Sequence, residues 1–465
     1  MGACCVPTGV IGFRGQGATL VASHVATPRQ PTSRCPSRRP CTRRPPAESS
    51  GIGGARRLAM ASALATCARS AARSSKRGRV VEVRRGSGVT LAAPPGTSLL
   101  DPDPAKYQEL LHAKVKRVKA TLKDRVRVPM DVIPSEPLRH RMKVTFAIRH
   151  YEDGPHIVVC DNITRQWIDV EQYPCACEPV QKLMSGLIEV LREFPELKRK
   201  AAGRVAILAN TLGDALAVVM YKEPICEEEF VPAAQVAAER LGVSAGFVGR
   251  SKRKRVVAGG PGILVQKHEV DGKVYPQIHQ EHVFSQSNAR ICAEMLRWTA
   301  ARTRPPPAGQ GDLLELYCGN GNFTLPLARN FRQVLATETA GLAVDFAQRS
   351  AKEAEVENVT FARLSSKEAA KALRLGEAPA RTGVDLDRFD FQTVFVDPPR
   401  AGLDSYGRDV VRRFPRCVYV SCCPERLAAD LEELPEHEVT AAAFFDQFPY
   451  TEHAEVAVIL QKRAS

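Results

Sequence analysis

The sequence has no long apolar run, which limits the classes of protein to which it can belong. No stretch of 18 or more apolar residues occurs in its 465 residues, although 44% of them are hydrophobic. A membrane-spanning helix needs about 20 such residues in succession. We therefore expect no membrane span. The ordinary charged content of 25% indicates a globular protein that is long enough for two or more domains.

Acidic side chains are nearly absent from the first 100 residues. This segment holds 15 Arg and one Lys against two Glu and no Asp, so it carries almost all of the formal charge of +15. An acid-poor N-terminus that is rich in Arg and Ser is typical of an organelle transit peptide; an RNA-binding tail is the alternative. We predict that residues 1–100 form a disordered leader that directs the protein to a chloroplast or mitochondrion. Without such a role the protein would be cytoplasmic.

Cysteine pairs with the spacing of metal ligands are also missing. Five of the 14 Cys lie in the leader, and the nine others include no C-x-x-C pair. Cys175 and Cys177 are too isolated to hold zinc or an iron–sulfur cluster by themselves. We therefore expect free thiols in a reducing compartment, with no metal and no iron–sulfur cluster.

The stretch from Gly311 to Glu338 has the pattern of a βαβ unit. An apolar strand leads into the turn Cys318-Gly319-Asn320-Gly321-Asn322, a helix follows, and a second strand ends at Glu338. Glycines permit close approach of a ligand, and a carboxylate at a strand tip can bind both hydroxyls of a ribose. The third Gly of the dinucleotide fingerprint and the pattern G-x-x-x-x-G-K-[ST] are absent. These features favour S-adenosylmethionine over a dinucleotide or a nucleoside triphosphate.

Strands and helices alternate after residue 283, which predicts a parallel sheet with helices on both faces. The last two strands, 439–445 and 454–460, are separated only by a loop and predict an antiparallel hairpin at the edge of that sheet. Before residue 283, an amphipathic helix precedes a β-rich region that contains the basic cluster Lys252-Arg253-Lys254-Arg255. Contact with phosphates is the functional interpretation of this cluster, and a solvated loop is the alternative.

The predicted fold class is α/β, with a smaller α+β domain inserted before the main sheet. We divide the chain into four parts. They are a leader (1–100), an N-terminal helix and strand that pack on the main domain (101–149), an RNA-binding domain (150–274) and a catalytic domain (275–465).

Two further motifs follow strands of the predicted parallel sheet. Asp397-Pro398-Pro399-Arg400 follows one strand and Cys422 follows the next. Ligands bind at the carboxyl ends of such strands. Arg400 can pair with a phosphate or with a carbonyl oxygen that gains charge. Cys422 precedes a helix, whose N-terminal dipole is expected to lower the pKa of a thiol and favour a nucleophilic thiolate; a packed cysteine is the alternative.

The loop before the last strand clusters four groups that can act as a general base. They are Asp446, Glu452, His453 and Glu455. Local spacing does not decide among them.

Seven motifs in order resemble the TrmA-type tRNA (uracil-5-)-methyltransferases. They are R-M-K-V-T-F (141–146), F-S-Q-S-N (284–288), L-L-E-L-Y-C-G-N-G-N-F-T (313–324), V-L-A-T-E (334–338), F-V-D-P-P-R-A-G-L-D (395–404), S-C-C-P-E (421–425) and F-D-Q-F-P-Y-T-E-H-A-E (445–455). The resemblance runs from about Asp101 to the C-terminus. The family usually has S-C-N-P where Ser421-Cys422-Cys423-Pro424 stands here.

The resemblance implies a Rossmann-like class I methyltransferase domain and assigns residue roles. S-adenosylmethionine contacts fall on Gln286, Tyr317, Asn322, Glu338 and Asp397, with Gly319 in the same turn. The implied nucleophile is Cys422 and the implied base is Glu455.

The implied substrate is the T-loop uridine at position 54 of tRNA, which would become 5-methyluridine through a covalent adduct between Cys422 and C6. We expect a monomer without an obligate protein partner. Two alternatives remain open, namely an rRNA uracil-5-methyltransferase, which the missing cluster cysteines disfavour, and a tRNA-folding chaperone.

Overall fold

The computed structural model describes residues 98–160, 166–198, 202–304 and 311–463. The predicted leader lies almost wholly outside these ranges, so its role stays a prediction. In the described ranges, no helix has the length and apolar character that crossing a membrane requires.

The described residues form ten α-helices, three short 3₁₀ turns and seventeen strands. The helices are α1 (Tyr107–Leu122), α2 (Glu178–Glu193), α3 (Pro195–Lys198), α4 (Glu227–Leu241), α5 (Ala289–Arg302), α6 (Thr324–Ala328), α7 (Gly341–Glu353), α8 (Ser366–Leu375), α9 (Ser405–Arg413) and α10 (Pro424–Glu432), and the 3₁₀ turns are Pro104–Lys106, Ala380–Thr382 and Leu386–Arg388. The strands are β1 (Met130–Ile133), β2 (Lys143–Tyr151), β3 (Gly154–Cys160), β4 (Trp167–Asp169), β5 (Ala202–Ala209), β6 (Ala215–Tyr221), β7 (Phe247–Arg250), β8 (Arg255–Ala258), β9 (Leu264–Val270), β10 (Lys273–His279), β11 (Asp312–Leu316), β12 (Val334–Glu338), β13 (Val359–Arg363), β14 (Phe391–Val396), β15 (Arg416–Ser421), β16 (His437–Phe445) and β17 (Glu455–Lys462).

An eight-stranded sheet carries the α/β part of the chain, as the alternation of strands and helices predicted. Its order is β1-β16-β17-β15-β14-β11-β12-β13. All neighbours are parallel except β17, which is antiparallel to both β15 and β16. The central strands β11, β14 and β15 are almost continuously buried, because helices cover both faces of a parallel sheet. This burial explains why apolar residues dominate these strands.

The closing hairpin of β16 and β17 forms as predicted, but its predicted place at the edge of the sheet is wrong. The short strand β1 pairs in parallel with β16 and forms that edge instead. β1 has only four residues and no alternating pattern of burial. Its partner lies more than 300 residues away along the chain, so local periodicity carried no signal for this pairing.

A seven-stranded sheet of order β4-β3-β2-β5-β6-β7-β8 forms the second part. It is antiparallel except for the β6–β7 pair. It begins at Lys143, so the predicted border at residue 150 falls inside β2. The division into domains otherwise stays a prediction.

The hairpin of β9 and β10 belongs to neither large sheet. Val270 and Tyr275 of this hairpin share an apolar core with Ile291 and Met295 of α5. Ile278 packs in a smaller cluster with Phe346 of α7. The hairpin therefore packs against the helices of the α/β part, next to the carboxyl ends of its central strands.

Candidate active site

One cavity of about 670 Å³ lies at the carboxyl ends of β11, β12, β14 and β15. The sequence predicted nine of the residues that line it. These are Gln286, Tyr317, Gly319, Asn322, Glu338, Asp397, Arg400, Cys422 and Glu455. The fold thus gathers residues from six separated motifs into one site. The basic cluster 252–255 does not line it.

The turn after β11 brings backbone close to the cavity. Gly319 and Gly321 both have positive φ angles, of 56° and 83°. A Cβ atom on Gly321 would lie 3.2 Å from Cβ of Ala347, so a larger residue would strain the turn and crowd α7. Tyr317 also has a positive φ of 61°, which is unusual for a residue other than Gly and is a form of strain found at functional sites.

The carboxylate of Glu338 is held in a defined orientation at the tip of β12. Its Oε1 accepts hydrogen bonds from the backbone N–H of Thr339 at 2.6 Å and of Ala340 at 2.8 Å. Its Oε2 accepts a bond from the N–H of Gly319 at 3.2 Å, which ties the strand tip to the glycine turn. A carboxylate held in this way can still accept hydrogen bonds from a diol, since each oxygen has more than one lone pair.

Three acidic groups share the inner part of the cavity. Burial raises the pKa of Asp397 to about 7. Burial, with the nearby Asp397, raises the pKa of Glu455 well above its usual range, and one of its oxygens, Oε2, has no hydrogen-bond partner in the described structure. Burial, together with Glu455 and Asp397, raises the pKa of the Cys422 thiol to about 12, while Arg400 opposes this shift. The Arg400 guanidinium thus favours the ionised forms of Cys422 and Glu455, while the neighbouring Asp397 disfavours both.

The expectation that the pKa of Cys422 is lowered is wrong, because the pKa of this thiol is raised. α10 does begin just after the cysteine, at Pro424. Burial and two neighbouring carboxyl groups outweigh any effect of that helix. The neighbouring thiol has a different environment, since Sγ of Cys423 lies 3.5 Å from Oε2 of Glu425 and Cys423 does not line the cavity.

The structure separates the four candidate bases in the loop 446–455. Asp446 forms a buried ion pair with Lys114. Glu452 is 85% exposed and lies beside Arg117. His453 contacts the guanidinium of Arg400. Of the four, only Glu455 lines the cavity.

Some lining residues were missed by the sequence reasoning. Gln277 reaches the cavity from the hairpin, where its Nε2 donates to Oδ1 of Asn320 at 2.9 Å, and Asn320 Nδ2 donates back to the carbonyl of Ile278 at 2.8 Å. No local signal marks Gln277, because its partner lies 43 residues away. Phe284 is 70% exposed at the mouth of the cavity, and its place in the F-S-Q-S-N motif was the available signal.

The basic cluster 252–255 lies between β7 and β8, and its members differ. Lys252 and Arg253 are exposed. Lys254 Nζ lies 2.7 Å from a carboxylate oxygen of Glu227. Arg255 donates to both oxygens of the buried Glu281 carboxylate, at 2.9 and 3.1 Å. Arg255 therefore links the seven-stranded sheet to the segment that leads to Gln286.

Comparison with known proteins places this site in context. Residues 106–463 match the family model described as tRNA (Uracil-5-)-methyltransferase. The chain is 36% identical over 375 residues to a tRNA/tmRNA (uracil-C(5))-methyltransferase of Vibrio cholerae, covering 78% of this chain and 99% of the relative. It is 37% identical over 365 residues to the protein of that name from Pseudoalteromonas atlantica, with coverage of 78% and 98%.

A solved structure has a similar fold. It is the tRNA (uracil-54, C5)-methyltransferase of Pyrococcus abyssi in complex with S-adenosyl-L-homocysteine, with a TM-score of 0.57 and 22% identity. The match covers 78% of this chain and 85% of that one. At this identity the likeness concerns the fold.

Asp397→Asn is expected to stabilise the ligand-free protein at high pH and not at low pH. The folded state raises the pKa of Asp397 to about 7, whereas an unfolded Asp has a pKa of about 3.9. The contribution of this carboxyl group to stability is therefore fully present below about pH 4 and is lost as the pH rises through about 7. Thermal unfolding should show a higher melting temperature for the variant near pH 8 and no difference near pH 4. A difference that is independent of pH would contradict the assignment.

Proposed function

We propose a specific reaction for this chain, which belongs to the tRNA (uracil-5-)-methyltransferase family: methylation of C5 of the T-loop uridine at position 54, with Cys422 as a covalent nucleophile. Family membership makes the chain a tRNA uracil-C5 methyltransferase. The finer proposal is supported by one observation above all, the meeting of Cys422, Glu455, Asp397 and Arg400 around a single cavity. The P. abyssi protein, whose fold is similar, is described as acting on uracil 54.

The cavity fits S-adenosylmethionine, which we propose as the methyl donor. Its volume suits a ligand of this size. Glu338 can bind the ribose hydroxyls, and Gln286, Tyr317, Asn322 and Asp397 line the remainder. The buried carboxyl group of Glu455, which has one oxygen without a hydrogen-bond partner in the described structure, favours a ligand that brings positive charge. When bound, S-adenosylmethionine supplies a sulfonium-activated methyl group.

Cys422 activates uracil, because C5 of the free base is a poor nucleophile. The Cys422 sulfur adds to C6, so the C5–C6 double bond becomes an enolate with charge on C5 and on the C4 oxygen. Arg400 is the cation in the cavity that favours the thiolate form of Cys422, and it can pair with an oxygen that gains charge. C5 would then bond to the donor's methyl group as the methyl–sulfur bond breaks, and the electron pair of that bond would stay on the donor sulfur, which leaves as a neutral thioether.

Release of the product needs a base. After methyl transfer, C5 carries both the methyl group and its original proton, and C6 is still bonded to sulfur. Glu455 accepts the C5 proton, the C5–C6 double bond re-forms, and the C6–S bond breaks to return the Cys422 thiolate. The raised pKa of Glu455 makes it a stronger base than an ordinary carboxylate once it is ionised.

The target uridine must leave its stack to reach Cys422, and the RNA must be held from outside. We propose that the seven-stranded sheet does this. One of its faces borders a cleft of about 500 Å³ lined by Trp167, Arg204 and Lys222, among others. The guanidinium of Arg149 lies 4.5 Å from the centre of the Trp167 ring. Cations and an aromatic ring on one face suit phosphates and unstacked bases.

Cys422→Ala is expected to abolish methylation, whereas Cys423→Ala keeps most of it. The thiol of Cys422 lines the cavity, and that of Cys423 contacts Glu425 instead. The measurement is transfer of labelled methyl groups to a tRNA transcript by each purified variant. Equal loss in both variants would show that the two roles are wrongly assigned. Preserved tRNA-folding activity in Cys422→Ala would support the chaperone alternative as an additional role.

Glu455→Gln is expected to stall the reaction after methyl transfer. The variant keeps the shape of the side chain and removes its basicity, so elimination loses its proton acceptor. A denaturation-resistant protein–RNA adduct that carries a labelled methyl group should accumulate, with little turnover. Normal turnover would exclude Glu455 as the base and direct attention to His453.

Neutralising Lys252 and Arg253 together is expected to weaken tRNA binding and to reduce its salt dependence, by roughly one unit of slope for each lost phosphate contact. Binding measured over a range of salt concentrations tests this, with Lys352→Gln on α7 as an exposed control. Arg255→Gln should instead lower the melting temperature, because it leaves the buried Glu281 without its bidentate partner. An unchanged slope in the double variant would mean that this loop is only solvated.

A further inference from the structure

We propose that the buried ion pair of Lys114 and Asp446 is a positioning device for the proton-transfer step. Through this pair, helix α1 holds the loop 446–454, which ends at Glu455. The inference rests on the proposed function, since it concerns the placement of the proposed base. Neither Lys114 nor Asp446 lines the cavity, so both act through other residues.

The contacts around Asp446 satisfy both of its carboxylate oxygens. Lys114 Nζ donates to Oδ1 at 2.8 Å, and the Tyr107 hydroxyl donates to Oδ2 at 2.9 Å. Lys114 also donates to the backbone carbonyl of Phe448 at 2.8 Å, farther along the same loop. The side chains of Lys114 and Asp446 are only 8% and 1% exposed. α1 therefore binds the loop at two points, of which the contact with Asp446 is buried and the contact with Phe448 is partly buried.

A third contact fixes the far side of the loop. Arg117, one helical turn after Lys114, donates to the backbone carbonyl of Glu452. It also lies 3.3 Å from the Glu452 carboxylate and 3.8 Å from that of Glu425 in the first turn of α10. α10 follows Cys422 directly, so α1 bridges the segment that carries the proposed nucleophile and the loop that carries the proposed base.

The loop itself contacts functional residues along its length. Phe445, the residue before Asp446, pairs with Glu455 across β16 and β17. The side chain of Gln447 contacts that of Gln286 at 2.9 Å, and His453 contacts Arg400. A displacement of the loop at Asp446 would therefore also displace Glu455, Gln286 and Arg400.

The chemistry of a buried ion pair favours a positioning role over a purely stabilising one. Removing two charges from water costs about as much as their attraction returns, so such pairs add little stability compared with apolar residues of similar size. Such pairs do fix the relative position of the two side chains, because each hydrogen bond sets a distance and an angle. Burial lowers the pKa of Lys114, and Asp446 opposes that shift, so the ammonium group depends on this partner.

The test compares Lys114→Met with Lys116→Met, an exposed lysine of the same helix, and with Glu455→Gln. We expect Lys114→Met to lower kcat by roughly tenfold or more and to lower KM for tRNA with it, because a misplaced base slows the breakdown of the covalent adduct, which then accumulates. Like Glu455→Gln, it should accumulate the methylated, denaturation-resistant adduct. Lys116→Met should behave as the unmodified protein. A purely structural role would lower the melting temperature and the active fraction without trapping the adduct.

A second and milder variant covers the case in which Lys114→Met does not fold. Tyr107→Phe removes only the hydroxyl that donates to Asp446, and it should trap a smaller fraction of adduct. Lys114→Met/Asp446→Asn removes both charges, so it should recover folding while the adduct still accumulates.

Folded Lys114→Met with normal turnover, or with slow turnover and no adduct, would overturn the positioning role. If Glu455→Gln itself turns over normally, the assignment of the base fails first, and the two failures are thereby distinguished.

Discussion

The cavity places three acidic groups beside one guanidinium, and the rest of the site depends on this imbalance. Asp397, Cys422 and Glu455 come from different strands, and burial raises the pKa of each. A protein does not gain stability from such an arrangement, because each charge costs desolvation energy without a full partner. In the reaction that we propose, the positive charge of the methyl donor offsets this cost when the donor enters the cavity. We therefore attribute the raised pKa values of these acids to that proposed reaction and not to the stability of the fold.

The reacting groups are supported by parts of the chain that lie far away in sequence. α1 precedes the cavity residues by more than 150 positions, yet its Lys114 side chain donates hydrogen bonds to Asp446 and Phe448 in the loop that leads to Glu455. The hairpin of β9 and β10 supplies Gln277 and holds the glycine turn through Asn320. Short strands and turns at the cavity would have little rigidity by themselves, so these outer contacts fix the geometry that the chemistry requires.

The two sheets are also joined by charge. The fully buried carboxylate of Glu281 lies in the segment between the hairpin and Gln286, and Arg255 of the seven-stranded sheet binds both of its oxygens. Burial alone would raise the pKa of Glu281, but the hydrogen bonds from Arg255 lower it overall. Arg255, the fourth member of the basic cluster, is thus an internal link, whereas Lys252, Arg253 and Lys254 are exposed.

Much of this protein could be predicted from the sequence, because its main signals are local. The apolar strand before the glycine turn indicated β11, and the alternation of strands and helices after residue 283 indicated the parallel sheet to which it belongs. Carboxyl ends of neighbouring parallel strands must meet, so Glu338, Asp397 and Cys422 were expected in one site. The family resemblance added Gln286 and Glu455, which no spacing rule would have joined to them.

Tertiary structure decided what depends on distant partners. Three contacts join segments that share no local sequence pattern. They are the pairing of the edge strand β1 with β16, the ion pair of Lys114 with Asp446, and the hydrogen bond from Gln277 to Asn320. The direction of the pKa shift of Cys422 was misjudged for the same reason, since the helix that follows it is visible in the sequence but the burial and the facing carboxyl groups are not. Periodicity and motif order determine the helices and strands. They also indicate that a ligand binds at the carboxyl end of the parallel strands. Burial, charge balance and long-range contacts determine what each group can do there.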